Sequence, residues 1–384
     1  MKKDQPLKTR VVIVSDTLYP WFVGGKERRL HSFTSTSANS EFEIIFATMK
    51  WWDGESPQGH IALSRRYQVY KNGRRSIFSA LCFAISCFKV LALRPDLIEA
   101  DQIPVLHLWP LKIVSMIRKV PLSVTWHEVW SKPYWLKYLG PLGYVAASVE
   151  KWSLSLPDRF IAVSEMTRAR LIAEGVAPAK ISLIENTLDI TGIRNANTSL
   201  PGTDLLFVGR LISHKRIDLL LETIAELRSR GRNLTLSVVG TGPEQLNLHE
   251  QAQKLGILEQ VTFYSDGLES NDVWGLMKKC PAFLLASERE GYGIAVQEAL
   301  IAGAMVLVSN HPDNAAKELI DQSNKGRIVG EQSATAWADG ITGLIEMGYL
   351  DNSVSTKSAL NDYELADNFV SDYQLSWSQA LAAK

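Results

Sequence analysis

The sequence predicts two doubly wound α/β domains. Three observations point to this. Short apolar runs alternate with longer helical patterns along all 384 residues. The alternation is interrupted once, by the polar, Pro- and Gly-containing stretch Asn195-Ala-Asn-Thr-Ser-Leu-Pro-Gly-Thr203. The length suits two domains of roughly 100–200 residues each.

The elements follow in order. Val11–Val14, Ile44–Ala47, Leu97–Ala100, Ser123–Trp126 and Phe160–Val163 read as buried strands bounded by polar or turn residues. Leu205–Val208, Thr235–Val239, Val261–Tyr264, Ala282–Ala286 and Met305–Ser309 form a second set. Helical stretches such as Ile217–Arg230 and Gln245–Leu255 lie between them. Strands alternating with helices imply parallel sheets covered on both faces. The break places the domains at 1–198 and 199–384. Ligands of such sheets sit beyond the carboxyl ends of the strands. Two Rossmann-like domains facing each other across a cleft therefore form the expected site.

Composition narrows the class. Hydrophobic residues make up 46% and charged residues 21%, which argues against disorder and supplies apolar material for two cores. The formal net charge is zero, which gives no support to a nucleic-acid partner. The balance hides a split. Residues 1–198 carry 26 Lys and Arg against 17 Asp and Glu, and the remainder 15 against 24. Such asymmetry suggests that the first half meets an anionic surface. The three cysteines, Cys82, Cys87 and Cys280, form no Cys-x-x-Cys or Cys/His cluster. That fits a reducing cytosol and no zinc site. The run Val11–Val14 is too short for a signal-peptide core and reads as a strand. Ile77–Leu93 is apolar and near the minimum length of a membrane span. Ser79, Ser86 and Lys89 within it favour a buried or interfacial helix.

Four segments carry candidate chemistry. Glu290-Gly-Tyr-Gly-Ile-Ala-Val-Gln-Glu298 follows a strand and opens a helix. Gly291 and Gly293 let the backbone turn tightly beside a ligand. The helix start, near Tyr292 and Ile294, offers N–H groups and a positive dipole end to an anion. Glu290 at the loop mouth suits sugar hydroxyls, and Glu298 suits ribose hydroxyls. The bland alternative is a Gly-rich turn with two solvated glutamates. In Phe207-Val-Gly-Arg-Leu-Ile-Ser-His-Lys-Arg-Ile217, Arg210 and Lys215 suit the two phosphates of a leaving nucleotide. They equally suit a pair of exposed loop cations. His127, in Val124-Thr-Trp-His-Glu-Val-Trp130, emerges at a strand end, where a structural histidine is the commoner outcome. Glu128 and Trp130 fit either a core or an acceptor site. Gly24-Gly25 precedes a helix and suits phosphate contact, although a simple turn explains two glycines as well. No G-x-G-x-x-G fingerprint is present, which disfavours a nicotinamide-dependent dehydrogenase. Asn310-His-Pro-Asp-Asn314 reads as a helix cap at Asp313 or Asn314, or as a donor contact.

Taken together, these segments resemble the retaining glycosyltransferases of family 4, which have the GT-B fold. Val208-Gly-Arg-Leu with Lys215 looks like that family's phosphate-binding segment. Val238-Val-Gly-Thr-Gly-Pro243 looks like its second-strand turn, and Glu290 with Glu298 like its paired glutamates. Gly24-Gly25 resembles its diphosphate loop and His127 its active-site histidine. Val163-Ser-Glu-Met-Thr167 and Asn186-Thr-Leu-Asp189 also resemble family segments. Thr187 departs from the family, where Gly commonly follows the Asn.

The resemblance implies a hexose-type transfer from a nucleotide sugar to an acceptor hydroxyl, with retention. The second domain then binds the donor and the first the acceptor. The segment after about residue 355 crosses back to the first domain. His127, Arg210, Lys215 and Glu290 are implied as catalytic residues. Gly24, Gly25, Gly291, Tyr292, Gly293, Ile294 and Glu298 are implied donor contacts. No cofactor and no metal are expected, and the chain has no Asp-x-Asp motif. A nucleotide-sugar epimerase of the same fold, or a non-catalytic nucleotide-sugar-binding scaffold, is the alternative. A glycan or lipid-linked acceptor in cell-surface glycan or glycolipid synthesis is the expected partner. A cytoplasmic enzyme, peripheral on the inner face of the cell membrane, fits the charge split. Lys71, Arg74, Arg75, Lys112, Arg118 and Lys119 flank the apolar stretch and are the expected surface cations.

Overall fold

The computed structural model of the chain describes residues 8–22, 24–34, 41–71, 74–130, 132–265, 268–323, 325–349 and 369–383. The chain divides into two compact units, Met1–Thr187 with Ala366–Lys384, and Leu188–Leu365. The division falls ahead of the polar linker rather than within it. The reason is the short helix Ile190–Asn195, which packs on helices of the second unit. The expected crossover point near residue 355 lies outside the described residues.

The first unit is built on β1 (Thr9–Val14), β2 (Phe42–Met49), β3 (His60–Ser64), a short antiparallel pair β4 (Tyr70–Lys71) and β5 (Arg74–Arg75), then β6 (Leu97–Asp101), β7 (Leu122–Trp126), β8 (Arg159–Ala162) and β9 (Ile181–Leu183). Seven of them form one sheet in the order β3-β2-β1-β6-β7-β8-β9, parallel throughout. Val11, Val12, Ile13 and Val14 are all buried, as a central parallel strand covered on both faces requires. Its helices are α1 (Gly25–His31), α2 (Ile77–Ser86), α3 (Leu108–Arg118), α4 (Lys132–Leu139), α5 (Gly143–Ser153) and α6 (Glu165–Ala173). A 3-10 run, Cys87–Leu93, continues α2. Ser76 and Ser164 cap α2 and α6, accepting from Ser79 N at 3.2 Å and Thr167 N at 3.1 Å.

The second unit holds β10 (Leu205–Val208), β11 (Leu236–Val239), β12 (Val261–Tyr264), β13 (Ala282–Leu285), β14 (Arg289–Glu290), β15 (Met305–Ser309), β16 (Asp313–Asn314) and β17 (Gly326–Val329). Six form a parallel sheet in the order β12-β11-β10-β13-β15-β17. β14 and β16 pair separately, with Glu290 opposite Asn314. The helices are α7 (Ile190–Asn195), α8 (Ile217–Ser229), α9 (Gln245–Lys254), α10 (Ser270–Lys279), α11 (Ile294–Ala302), α12 (Lys317–Ser323) and α13 (Ala334–Glu346). Asp189 caps α7 through Gly192 N at 2.7 Å. The departure at Thr187 costs nothing locally. It is not among the left-handed non-glycine residues, so the turn does not demand glycine.

The last helix, α14 (Phe369–Ala382), belongs to the first unit. Phe369, Tyr373 and Trp377 surround Phe33, with ring centroids 4.8–5.5 Å apart. Polar anchors fix the helix as well. Tyr373 Oη meets Arg29 Nε at 2.9 Å and Thr125 Oγ1 at 2.8 Å. Arg29 also donates to Ile184 O at 2.6 Å and Asn186 Oδ1 at 2.8 Å. Glu99 accepts from Thr125 Oγ1 at 2.8 Å and Trp377 Nε1 at 3.1 Å.

Burial raises the Glu99 carboxyl to about 7, against the hydrogen bonds it accepts. Between its ordinary value and 7, the folded chain holds a proton there that the unfolded chain releases. Stability contributed below the ordinary value is therefore lost as pH rises through 7. Glu99→Gln cannot ionise. Its unfolding free energy is expected to fall less than the wild type's between pH 5 and pH 8, by on the order of 1–3 kcal/mol. Urea titrations at both pH values measure this, and parallel pH profiles for the two proteins would refute it.

Candidate active site

In the second unit, β10 ends at Val208 and the chain turns through Gly209 and Arg210 into a 3-10 turn, Ser213–Lys215. This loop is braced from β11. Gly240 takes a left-handed backbone, and a Cβ there would sit 1.9 Å from Gly209 O. A Cβ on Gly242 would sit 2.2 Å from Leu211 O. Only glycine permits that approach. Leu211 N donates to Thr241 O at 2.8 Å and Glu244 N to Leu211 O at 3.1 Å. Two glycines of one turn thus position the loop that carries Arg210 and Lys215.

Lys215 Nζ lies 2.5 Å from Glu290 Oε1, with side chains only 15% and 13% exposed. Glu290 is held on both sides of its strand. Glu288 N donates to His214 O at 2.8 Å, and Ala315 N to Glu290 O at 2.9 Å. Behind it, Gly293 N-caps α11 with φ 102°. A Cβ at Gly293 would lie 2.5 Å from the Ala316 Cβ, so the helix start requires glycine twice over. Its first turn has no acidic residue, which leaves the dipole end open to an anion. Tyr292 is buried, and Gly291 and Ile294 are half-buried. Glu298, further along α11, is 4% exposed and accepts from Trp274 Nε1 at 2.8 Å. Arg210 is exposed.

Asn314 explains the Asn310–Asn314 segment as structure. It is buried, its Nδ2 donates to Ser309 O at 3.1 Å, and its Oδ1 accepts from Ala316 N at 3.0 Å. The side chain caps the turn that leads into α12.

In the first unit, His127 follows β7. Its Nε2 pairs with Asp101 Oδ1 at 2.9 Å. Its backbone N–H donates to Gln102 Oε1 at 3.2 Å. Asp101 ends β6 and is buried. Burial opposes its ionisation, but the His127 hydrogen bond and the Lys26 charge outweigh this and hold the carboxyl below its usual value. Lys26, the second residue of α1, joins Asp101 at 4.0 Å to Asp16 at 2.8 Å. Arg75 closes on the other oxygen of Asp16. Burial opposes the charge on Asp16 too, and Arg75 and Lys26 together overcome it.

Gly24 and Gly25 begin α1 with an extended backbone at Gly24. Glu27 fills the first turn, buried and accepting from Thr17 Oγ1 at 2.6 Å. An acid there makes this helix start less receptive to an anion than that of α11.

Asp16, Lys26 and Asp101 escape a reading of the sequence because they are far apart along the chain. The available signal is that Asp101 ends an apolar strand, and that Asp16 and His127 each follow one within two residues. Arg75 corrects an expectation. It is an ion-pair partner of a buried carboxylate, not a surface cation. Lys112 pairs with Asp158 at 2.8 Å. Lys71 and Arg74 have side chains outside the described set. Among the described residues, no three His, Cys, Asp or Glu side chains group to hold a metal ion.

Two parallel-sheet units of this kind, one with a glycine-opened helix start beside a lysine–glutamate pair, define a GT-B glycosyltransferase, and comparison with known proteins agrees. Residues 193–359 match the family described as "Glycosyl transferases group 1", and residues 23–191 match "Glycosyltransferase Family 4". The chain belongs to this family. It is 24% identical over 331 residues to a glycogen synthase of Mycobacterium tuberculosis, covering 78% of each chain. It is 29% identical to a GDP-mannose:cellobiosyl-diphosphopolyprenol alpha-mannosyltransferase of Xanthomonas oryzae, over 52% of this chain and 51% of that one. Anabaena HepE, solved in complex with UDP and glucose, superposes with a TM-score of 0.67 at 19% identity, covering 98% of both chains.

Proposed function

We propose that the protein transfers a hexose-type sugar from a nucleotide-sugar donor to an acceptor hydroxyl, with retention and without a metal ion. The Lys215–Glu290 pair beside the Gly293-opened start of α11 carries this reading. Arg210, Lys215 and the first N–H groups of α11 supply positive charge for a departing diphosphate. Lys215 has three donors, so it can hold Glu290 and still reach a phosphate oxygen. Glu290 accepts from hydroxyls of the transferred sugar. Glu298, steadied by Trp274, is the ribose contact. The anomeric carbon's bond to phosphate oxygen breaks, its bond to the acceptor oxygen forms on the same face, and the acceptor's proton passes to the phosphate. No protein carboxylate is needed as nucleophile, unlike retaining glycosidases. His127, oriented by Asp101, and the Gly24-Gly25 turn are the first-unit residues to which the family resemblance gives a part in the transfer.

The Xanthomonas relative, named for transfer to cellobiosyl-diphosphopolyprenol, supports a glycan or lipid-linked acceptor, reached from the cytoplasm at the inner face of the membrane. Proton NMR of the product made from UDP- and GDP-hexoses tests the reaction. A product keeping the donor's anomeric configuration, formed at undiminished rate in excess EDTA, is expected. Inversion, or loss of transfer to EDTA with recovery on adding magnesium or manganese, would overturn it.

A further inference from the structure

We propose that the outward face of α2 and α3 docks the protein on an anionic lipid bilayer. No described helix is long and apolar enough to cross a membrane, so the contact is one of surface.

The helix α2 is apolar on both sides: it buries Phe83 and Ala84 toward the core and turns other apolar residues outward. A surface helix ordinarily turns its polar side to water. Here Ser79 and Ser86 are buried, while Phe78 and Ile85 are 66% and 69% exposed. The Ser79 hydroxyl has no hydrogen-bond partner among the described residues, and that of Ser86 turns back on Phe83 O at 2.7 Å. Core packing accounts for buried Phe83 and Ala84 but not for exposed Ile77, Phe78, Leu81 and Ile85. An apolar medium outside does. Phe88 of the 3-10 run, and Met116 and Ile117 of α3, are exposed as well. The run packs against α3, so the exposed side chains share one surface of the kind that marks an interaction site.

Charge selects the occupant. From Ile77 to Leu93 and from Leu108 to Lys119 the chain has four cations, Lys89, Lys112, Arg118 and Lys119, and no Asp or Glu. Lys112 pairs with Asp158. Lys89 and Arg118 donate to the carbonyls of Leu63 and Leu91 at 2.7 and 3.0 Å, contacts that leave their charge in place. Lys119 is exposed and ends α3 with φ 57°, a conformation that favours glycine. Arg94 ends the 3-10 run in the same way, with φ 50°. A second copy of the chain does not fit this face. A twofold contact sets a surface against itself, and these cations would meet cations with no carboxylate on either helix to answer them. Anionic headgroups satisfy the cations while the apolar side chains enter the acyl boundary.

The inference builds on the proposed transfer only in placing the acceptor at a membrane, and its test is independent of turnover. The full chain is sedimented with vesicles of phosphatidylcholine alone or mixed with phosphatidylglycerol. Binding is expected only with phosphatidylglycerol, and is expected to weaken as salt rises. Lys119→Gly removes a cation at a glycine-favouring position and is expected to weaken binding about fivefold. Phe78→Ser with Ile85→Ser is expected to weaken it at least tenfold, with an unchanged circular dichroism spectrum and unchanged donor hydrolysis in vesicle-free buffer. No sedimentation with anionic vesicles, equal binding to both compositions, or wild-type binding by both variants overturns the proposal. So does a dimer by sedimentation velocity that the double substitution splits, since the face then belongs to a second copy. Should the double variant fail to fold, Lys119→Gly and the salt series decide alone. Absent donor hydrolysis in every protein would instead refute the transfer reading and leave docking untouched.

Discussion

Lys215→Ala is expected to lower the transfer rate on the order of 10²–10³-fold while leaving the fold intact. Removing one preorganised donor from developing anionic charge has that size of effect. The residue sits in a 3-10 turn outside the sheet, so the loss is not one of core packing. The ion pair with Glu290 at 2.5 Å supplies a competing explanation. Lys215 would then serve only to neutralise Glu290, and the variant would be slow because an unpaired carboxylate faces the donor. A double-mutant cycle separates the two. Under neutralisation, Lys215→Ala with Glu290→Gln recovers most of the lost rate. Under phosphate stabilisation, the double variant is at least as slow as Lys215→Ala. Single-turnover rates with saturating donor measure this. Near-normal transfer by Lys215→Ala, or recovery in the double variant, would remove Lys215 from the leaving-group role.

The apolar strands are the legible part of the fold, the edge strand β12 among them. The ten apolar runs read from the sequence all lie on strands of the two sheets, because a parallel strand covered on both faces admits little else. The unread strands are edge ones. β3, His-Ile-Ala-Leu-Ser, β9, Ile-Ser-Leu, and β17, Gly-Arg-Ile-Val, each close a sheet and are short or polar. An edge strand pairs on one side only, so its composition carries less signal. The glycines of the site were legible for a similar reason. Gly240, Gly242 and Gly293 each occupy a place where a Cβ collides with another part of the chain, and no other residue type substitutes there. What the sequence does not display is partnership between distant polar residues. Arg75 and Asp16 are fifty-nine positions apart, and nothing local in Asn72-Gly-Arg-Arg75 marks Arg75 as the partner of a buried carboxylate. The outward apolar face of α2 is equally hidden. The apolar stretch Ile77–Leu93 is visible, but which of its side chains face out depends on how α2 packs against the 3-10 run Cys87–Leu93 and α3.

Arg75→Ser is expected to destabilise the first unit by about 3 kcal/mol rather than to act as a surface change. Asp16 is 2% exposed. Its two oxygens accept from Lys26 and Arg75. Taking one partner from a buried ion pair costs about 3–5 kcal/mol, since the remaining charge stays desolvated. The low end applies because Lys26 remains and a quarter of the Arg75 side chain reaches solvent. The loss spreads along the chain of charges. With Arg75 gone, Lys26 is the cation left to Asp16 among the described residues, and it is drawn from Asp101, the residue that holds His127. The pH dependence gives the sign. Arg75 and Lys26 hold the Asp16 carboxyl below its ordinary value. Its stabilisation is present above that ordinary value and disappears as pH falls through the depressed one. Arg75→Ser is therefore expected to be much less stable than wild type at pH 7, with the difference shrinking on acidification. Urea unfolding at pH 7 and at about pH 2.5 reads both effects, and Lys119→Gly serves as a control for losing a cation at the surface. Equal unfolding midpoints for Arg75→Ser and wild type at pH 7 would show that Asp16 does not depend on Arg75, and would return Arg75 to the surface cations.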